Sequence, residues 1–302
     1  MSDFVSVLDL APAELVAVVA RAGGVKQDPA SAAGKLSGLR VGLFFEKPSA
    51  RTRISTEVAT ADLGAVPVVL KGDEIGLGRR ESVEDVARVF DRYLDVLALR
   101  VFSHDHLRTI ATLAEAPVIN LLSDREHPCQ ALADLQTMAE TRPLPETRLA
   151  FVGDGNNVCH SLVLAAVMAG VHVRVATPPG HEPLADIVTR AGEIGAESGG
   201  SVTVGNDADE AVAGADVVYT DVWASMGQED EVDARRATFG PYRIDEERFA
   251  RAADDAIFLH CLPAHRGEEV TAGVMEHPRS RVFDQAENRM HSFKALLLHL
   301  CS

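Results

Sequence analysis

At 302 residues, with 46% hydrophobic content, only 5% aromatics and a net charge of −16, the chain reads as a globular α/β protein with room for two domains or one large unit. The acidic balance argues against nucleic acid, whose phosphates need a basic face, and against anionic membrane surfaces. No apolar run approaches the roughly 20 residues of a spanning helix. Met1–Ala13 lacks the basic start and apolar core of a leader, and Cys129, Cys159, Cys261 and Cys301 show neither metal-ligand spacing nor a secreted framework. A reducing, cytoplasmic setting is the simplest expectation.

In chain order, Val41-Gly42-Leu43-Phe44-Phe45 predicts a buried strand (Arg40–Phe45). From Thr52 to about Leu63 the pattern turns helical, with Ile54, Val58, Ala61 and Leu63 spaced for one buried side. The junction between them concentrates Ser49, Ala50, Arg51, Thr52 and Arg53. A helix N-terminus offers unpaired N–H groups and a positive dipole end, and Arg adds a planar fork that matches phosphate oxygens. The plainer alternative is a surface helix start whose Arg53 pairs with Glu57 at i,i+4.

Further strands are expected at Val66–Leu70, Val96–Arg100, Val118–Asn120, Arg148–Val152, Val171–Ala176, Val202–Val204, Val217–Thr220 and Ala256–His260. Amphipathic stretches such as Ser82–Tyr93, Gln130–Glu140 and Val158–Ala169 lie between them, the alternation of parallel sheets covered by helices. Thr141-Arg142-Pro143-Leu144-Pro145 is the candidate boundary, since its prolines block helix continuation. The last apolar helix, about Ala286 to Leu300, could pack on either half.

Chemistry-bearing residues fall at strand ends and helix starts. Arg100 closes one strand, where open α/β sheets hold ligands. His127 and Gln130 stand at i,i+3 across Pro128, able to donate to a carbonyl and accept from an NH2, or merely to cap the helix. Gly153-Asp154-Gly155-Asn156-Asn157-Val158 is strand, glycine turn and helix, but it lacks the third glycine of a dinucleotide fingerprint and better suits a small polar group. Asp221 and Ser225 follow another strand, either an acceptor site or a loop cap. His260, Cys261 and His265 lack a convincing fourth zinc ligand, and a thiol there better serves a substrate amine.

Taken together, Ser49–Arg53, Arg100, His127-Pro128-Cys129-Gln130, Gly153–Asn157, Asp221–Met226, His260–Pro263 and Glu287-Asn288-Arg289 resemble, in order and over essentially the whole chain, the carbamoyltransferases, the ornithine-using branch most closely. The resemblance implies an α/β fold of two domains, each a mainly parallel sheet flanked by helices, the second Rossmann-like. Residues 1–140 would bind carbamoyl phosphate and 141–285 ornithine, with the final helix (about 286–302) returning to the first domain. It implies transfer of the carbamoyl group of carbamoyl phosphate to the δ-amine of L-ornithine, giving L-citrulline and phosphate for arginine biosynthesis. No metal or organic cofactor is implied. The assembly would be a homotrimer, or a higher assembly of trimers, with active sites between subunits.

Carried over, Ser49, Arg51, Thr52 and the Ala50 N–H would bind the phosphate. Arg100 and His127, with Thr52, would polarise the carbamoyl oxygen, and Gln130 would hold its NH2. Cys261, Leu262 and Arg289 would complete the carbamoyl-phosphate side, while Asn157, Asp221, Ser225 and Met226 would grip ornithine. Arg100, His127, Asp221, Cys261 and Arg289 form the expected catalytic set. Two departures stand out: Ala50 replaces a hydroxyl residue, and Gly76 stands where many relatives carry a Gln or His that reaches a neighbour's site. Aspartate-using relatives carry a proline in place of Cys261, putrescine-using ones extend beyond the final helix, and acetylornithine users would not want Asp221 facing an amide. A catalytically silent homologue is the rival from another class.

Overall fold

The computed structural model describes residues 2–224 and 232–301. It divides into two compact units, Met1–Gln136 with Glu287–Ser302, and Thr137–Ala286.

The first unit is built on β1 (Arg40–Phe45), β2 (Val66–Lys71), β3 (Val96–Arg100) and β4 (Val118–Leu122), all parallel, in the order β2-β1-β3-β4. Continuous apolar sequence is what such strands need, because helices cover both faces. Phe4 extends the sheet at β4, donating from its N–H to the Val118 carbonyl (2.8 Å) and accepting from Asn120 N–H (2.9 Å). Beneath the helices Val83–Tyr93 and His104–Leu113, Phe44, Phe90, Leu97, Leu99, Leu107 and Ile110 form the core.

The helix Ala50–Asp62 follows β1, as its pattern predicts, but the face it buries is a different one. Ile54 is 61% exposed and Val58 40%, and Ala61 is exposed too, while Thr52, Thr56, Ala59 and Thr60 face inward with Leu63. The threonines can be buried because their hydroxyls bond within the helix: Thr56 Oγ1 donates to the Thr52 carbonyl (2.8 Å) and Thr60 Oγ1 to that of Thr56 (2.7 Å). Each methyl then packs while no polar group is stranded.

The second unit carries β5 (Arg148–Val152), β6 (His172–Ala176), β7 (Ser201–Gly205), β8 (Val217–Thr220) and β9 (Ile257–Leu259), also all parallel, in the order β7-β6-β5-β8-β9. The order reverses at β5, between β6 and β8, the switch point at which doubly wound sheets open a crevice beyond their strand ends. The helix Asn157–Met168 follows β5, with Val158 through Met168 all buried. Gly155 in the intervening turn has no alternative: a Cβ there would lie 2.3 Å from Pro183 N. The last helix, Val282–Leu300, starts earlier than its apolar pattern suggests. Among the described residues no helix is long and apolar enough to cross a membrane.

Candidate active site

In the first unit the expected residues collect at the C-terminal ends of the strands. Ser49 caps the helix Ala50–Asp62: it is extended (φ −154°), its Oγ accepts from Thr52 N–H (3.4 Å) and donates to Thr52 Oγ1 (3.0 Å). Ala50 and Arg51 are exposed on the first turn, and Arg51 has no ion-pair partner among the described residues. Arg53 instead reaches Glu57 at 2.5 Å, so the plain surface pairing holds for that arginine alone. Free N–H groups, two hydroxyls and an uncommitted guanidinium are the groups an anion site needs.

Arg100 sits where the β3–β4 register slips, between Leu99 and Arg100, an irregularity of the kind that re-aims a side chain. It is 8% exposed. His127, also buried, ends the loop after β4, just ahead of the helix Pro128–Ala139. Burial, reinforced by the positive charges of Arg289 and Arg100, holds the His127 imidazole well below the usual histidine range. The ring is therefore neutral at physiological pH, an uncharged donor amid two guanidiniums. Gln130 joins the same group: Arg289 Nη1 donates to its Oε1, and its Nε2 donates to Asp134 Oδ1 (2.7 Å). Cys129 points away, donating to the Asn120 carbonyl, and burial pushes its thiol up to about 12. Such a thiol is inert at neutral pH.

In the second unit Asp221 follows β8 and is 4% exposed. Cys261 Sγ, just beyond β9, donates to Asp221 Oδ1 (3.1 Å), and Asn156 Nδ2 donates to Asp221 Oδ2 (3.0 Å). A buried carboxylate beside a thiol can take an ammonium group and receive a proton from it. Asn156 is one of the two asparagines at the helix start that suit a small polar group. It caps the helix Asn157–Met168 through Oδ1, leaving Nδ2 for Asp221, while Asn157 is the first helical residue. Leu262 lies at φ +61°, ahead of a cis Leu262–Pro263 bond. Its N–H donates to His260 Nδ1 (2.9 Å), and His260 Nε2 meets Glu269 Oε1 at 3.2 Å.

Asp221, His260 and Cys261 bring ligand atoms within 4.8 Å of one another, but both His260 ring nitrogens are already engaged. His265 groups instead with Glu268 and Glu269, and Glu268 is bound to Arg236 at 2.6 Å. Neither arrangement is a set of uncommitted ligands.

Sequence reading missed a buried pair next to the glycine turn. Arg235 Nη1 donates to Asp154 Oδ2 (3.0 Å) and to the Trp223 carbonyl (2.7 Å), over the Phe239 ring. Burial raises the Asp154 carboxyl, against the opposing pull of Arg235 and His181. No local spacing signals a pair 81 residues apart. Ser225 and Met226 lie outside the described residues. Gly76 ends the short helix Gly72–Ile75 in the left-handed region (φ +66°), and a Cβ there would lie 2.8 Å from Arg80 Cβ. Glycine suits this turn, and a Gln or His would strain it.

The chain matches two family models in tandem. Residues 2–140 match the carbamoyl-P binding domain of aspartate/ornithine carbamoyltransferase, and residues 145–300 the Asp/Orn binding domain. It is 55% identical over 294 residues to the ornithine carbamoyltransferase of Acidothermus cellulolyticus, covering 97% of this chain and 94% of that protein. It is 53% identical over 296 residues to that of Parafrankia sp. (97% and 93%). Among solved structures, ornithine carbamoyltransferase from Pyrococcus furiosus superposes with a TM-score of 0.95 at 44% identity, covering 98% of this chain and 96% of that one. An N-acetyl-L-ornithine transcarbamylase variant also superposes, with a TM-score of 0.89 at 30% identity, covering 99% of this chain and 100% of that one. The fold alone thus does not select the amine acceptor. Sequence and architecture agree over the whole length, and the chain belongs to the aspartate/ornithine carbamoyltransferase family.

Proposed function

We propose that the chain catalyses transfer of the carbamoyl group of carbamoyl phosphate to the δ-amine of L-ornithine, giving L-citrulline and phosphate. The observation that carries the acceptor is the buried Asp221 carboxylate bonded to the Cys261 thiol, a partner for a cationic amine. Relatives named ornithine carbamoyltransferase, matched over nearly the whole chain, support the same reading.

The division of labour is as follows. Ser49, Arg51, Thr52 and the Ala50 N–H hold the phosphate at the helix start. Arg100 and His127 polarise the carbamoyl oxygen, and Gln130, backed by Arg289, accepts from the carbamoyl NH2. Leu262 completes the carbamoyl-phosphate contacts; Asn157, Ser225 and Met226 bind the amino-acid end of ornithine. The first unit serves carbamoyl phosphate and the second ornithine, a reading supported by the descriptions of the two matched domains.

The δ-amine must be neutral to attack the carbonyl carbon. With a solution pKa like that of lysine, about 10.4, on the order of one molecule in a thousand qualifies near neutral pH. Selecting that form costs about 4 kcal/mol. Asp221 binds the ammonium form and takes its proton, while the Cys261 S–H stays a donor to Oδ1; the second amine proton, released as the C–N bond forms, leaves with the phosphate. The tetrahedral oxyanion is stabilised by Arg100 and by neutral His127, a donor role worth a few kcal/mol each. The C–O bond to phosphate then breaks, and Arg51 and the helix N-terminus take up the departing charge.

Assembly as a homotrimer in the cytoplasm completes the proposal. Exposed Ile54 (61%), Val58 (40%) and Val66 (53%), on the first unit's helix Ala50–Asp62 and edge strand β2, support burial against another copy. The functional test is citrulline formation with ornithine, with putrescine, aspartate and acetylornithine run in parallel. Strong preference for ornithine is the expected result. Turnover of another amine would overturn the role of Asp221 and keep the carbamoyl-phosphate half, and no turnover at all would leave a silent homologue.

A further inference from the structure

Gln130 is held from both ends by groups that allow it one orientation. A carboxylate only accepts, a guanidinium only donates, and an amide has one end of each kind. With Asp134 Oδ1 taking the Nε2 hydrogen and Arg289 Nη1 donating to Oε1, the amide is fixed with its oxygen on the arginine side. All three side chains are buried: Asp134 is 0% exposed, Gln130 1% and Arg289 9%. Gln130 and Asp134 are four residues apart on one helix, so the pair forms within the helix Pro128–Ala139 itself.

We propose that Asp134 is a positioning residue that locks the Gln130 amide with its carbonyl oxygen toward the substrate, and thereby selects a carbamoyl group over an acyl group without an NH2. The proposal rests on the reading that carbamoyl phosphate lies against Gln130. Oε1 has a second lone pair, and a carbamoyl NH2 is the donor it suits. A flipped amide would set its own NH2 against that NH2 and against Arg289, two donor-to-donor clashes. Methyl in place of NH2, as in acetyl phosphate, gains nothing from the locked oxygen and leaves that lone pair unmatched.

The test uses the full chain with Asp134→Asn, which keeps the shape, and Asp134→Ala, which removes it. Binding of carbamoyl phosphate, acetyl phosphate and inorganic phosphate is measured for each, alone and in a Gln130→Leu background. Asp134→Ala is expected to weaken carbamoyl phosphate about tenfold, the worth of one such hydrogen bond, and Asp134→Asn by less, because its amide oxygen can still accept from Gln130 Nε2. Acetyl phosphate and inorganic phosphate should change by less than about twofold. In the Gln130→Leu background the Asp134 change should add nothing. Equal losses for all three ligands, or full additivity in the double variant, would overturn the positioning role in favour of a structural one. If Asp134→Ala does not fold, Asp134→Leu, which fills the space without an acceptor, takes its place alone and in the double variant. A wild-type protein that binds acetyl phosphate as tightly as carbamoyl phosphate would sink the placement at Gln130 itself.

Discussion

Replacing Asp221 with Asn removes one charge while keeping the side chain's shape, and the structure sets the cost. Asp221 Oδ1 accepts from Cys261 Sγ and Oδ2 from Asn156 Nδ2, at 3.1 and 3.0 Å. An asparagine has one acceptor oxygen, so its NH2 must confront either the thiol or the Asn156 amide. Loss of a charge-assisted bond to the ligand ammonium costs about 2 kcal/mol, and a neighbouring donor left without its partner about 1 kcal/mol more. The sum, about 3 kcal/mol, corresponds to roughly a 150-fold fall in kcat/KM for ornithine. Steady-state kinetics with ornithine varied at saturating carbamoyl phosphate measures it. Inorganic phosphate binding, which draws on the Ser49–Thr52 turn, should stay within about twofold and so report an intact fold. A fall in kcat/KM of less than about threefold, or an equal loss of phosphate affinity, would refute the role assigned to this carboxylate.

Arg51→Gly removes an exposed guanidinium with no ion pair among the described residues, so turnover should be abolished while the thermal midpoint stays near wild type. Near-normal activity in that folded variant would rule out the phosphate clamp. Cys261→Ala deletes the donor to Asp221, and titration of both substrates should show ornithine use weakened more than carbamoyl-phosphate binding. Equal losses would count against the assignment. His127 is held well below the ordinary value of 6.5 in the folded chain, mainly by burial. Below that value the unfolded chain takes up a proton that the folded one refuses, so stability present above pH 6.5 is lost as pH falls, at up to about 1.36 kcal/mol per unit. Urea unfolding at pH 7.5 and 5.5 should show a steeper loss for wild type than for His127→Asn. Parallel curves would show that burial of His127 costs nothing.

The strands were legible because a sheet covered on both faces demands uninterrupted apolar sequence, as Val96–Arg100 and Arg148–Val152 show. The helix Ala50–Asp62 was legible as a helix but not in its orientation. Periodicity counts a threonine as polar, and only the bond from Thr56 to the Thr52 carbonyl reveals that it can be buried without penalty. The site divides along similar lines. Ser49, Arg51 and Thr52 share one turn, and His127 and Gln130 share another, so spacing alone groups them. Asn156, Asp154 and Arg235 act through contacts across the second unit's sheet, which no spacing encodes.

Three groups in these clusters could either donate or accept, and each is locked by neighbours that can do only one. Gln130 lies between the Asp134 carboxylate and the Arg289 guanidinium. Asn156 caps backbone N–H groups with its oxygen, which commits its NH2 to the Asp221 carboxylate. His260 Nδ1 accepts from Leu262 N–H, which puts the ring proton on Nε2, facing Glu269. Asp134 and Glu269 are 0% exposed and Asp221 is 4% exposed, so these buried carboxylates fix hydrogen-bond direction. A donor or acceptor whose direction is set before a ligand arrives needs no reorganisation when the ligand binds. The −16 net charge hides these arrangements because they are local: acids lock the amides and the imidazole, and Arg51 stands exposed at a helix start with no ion-pair partner among the described residues.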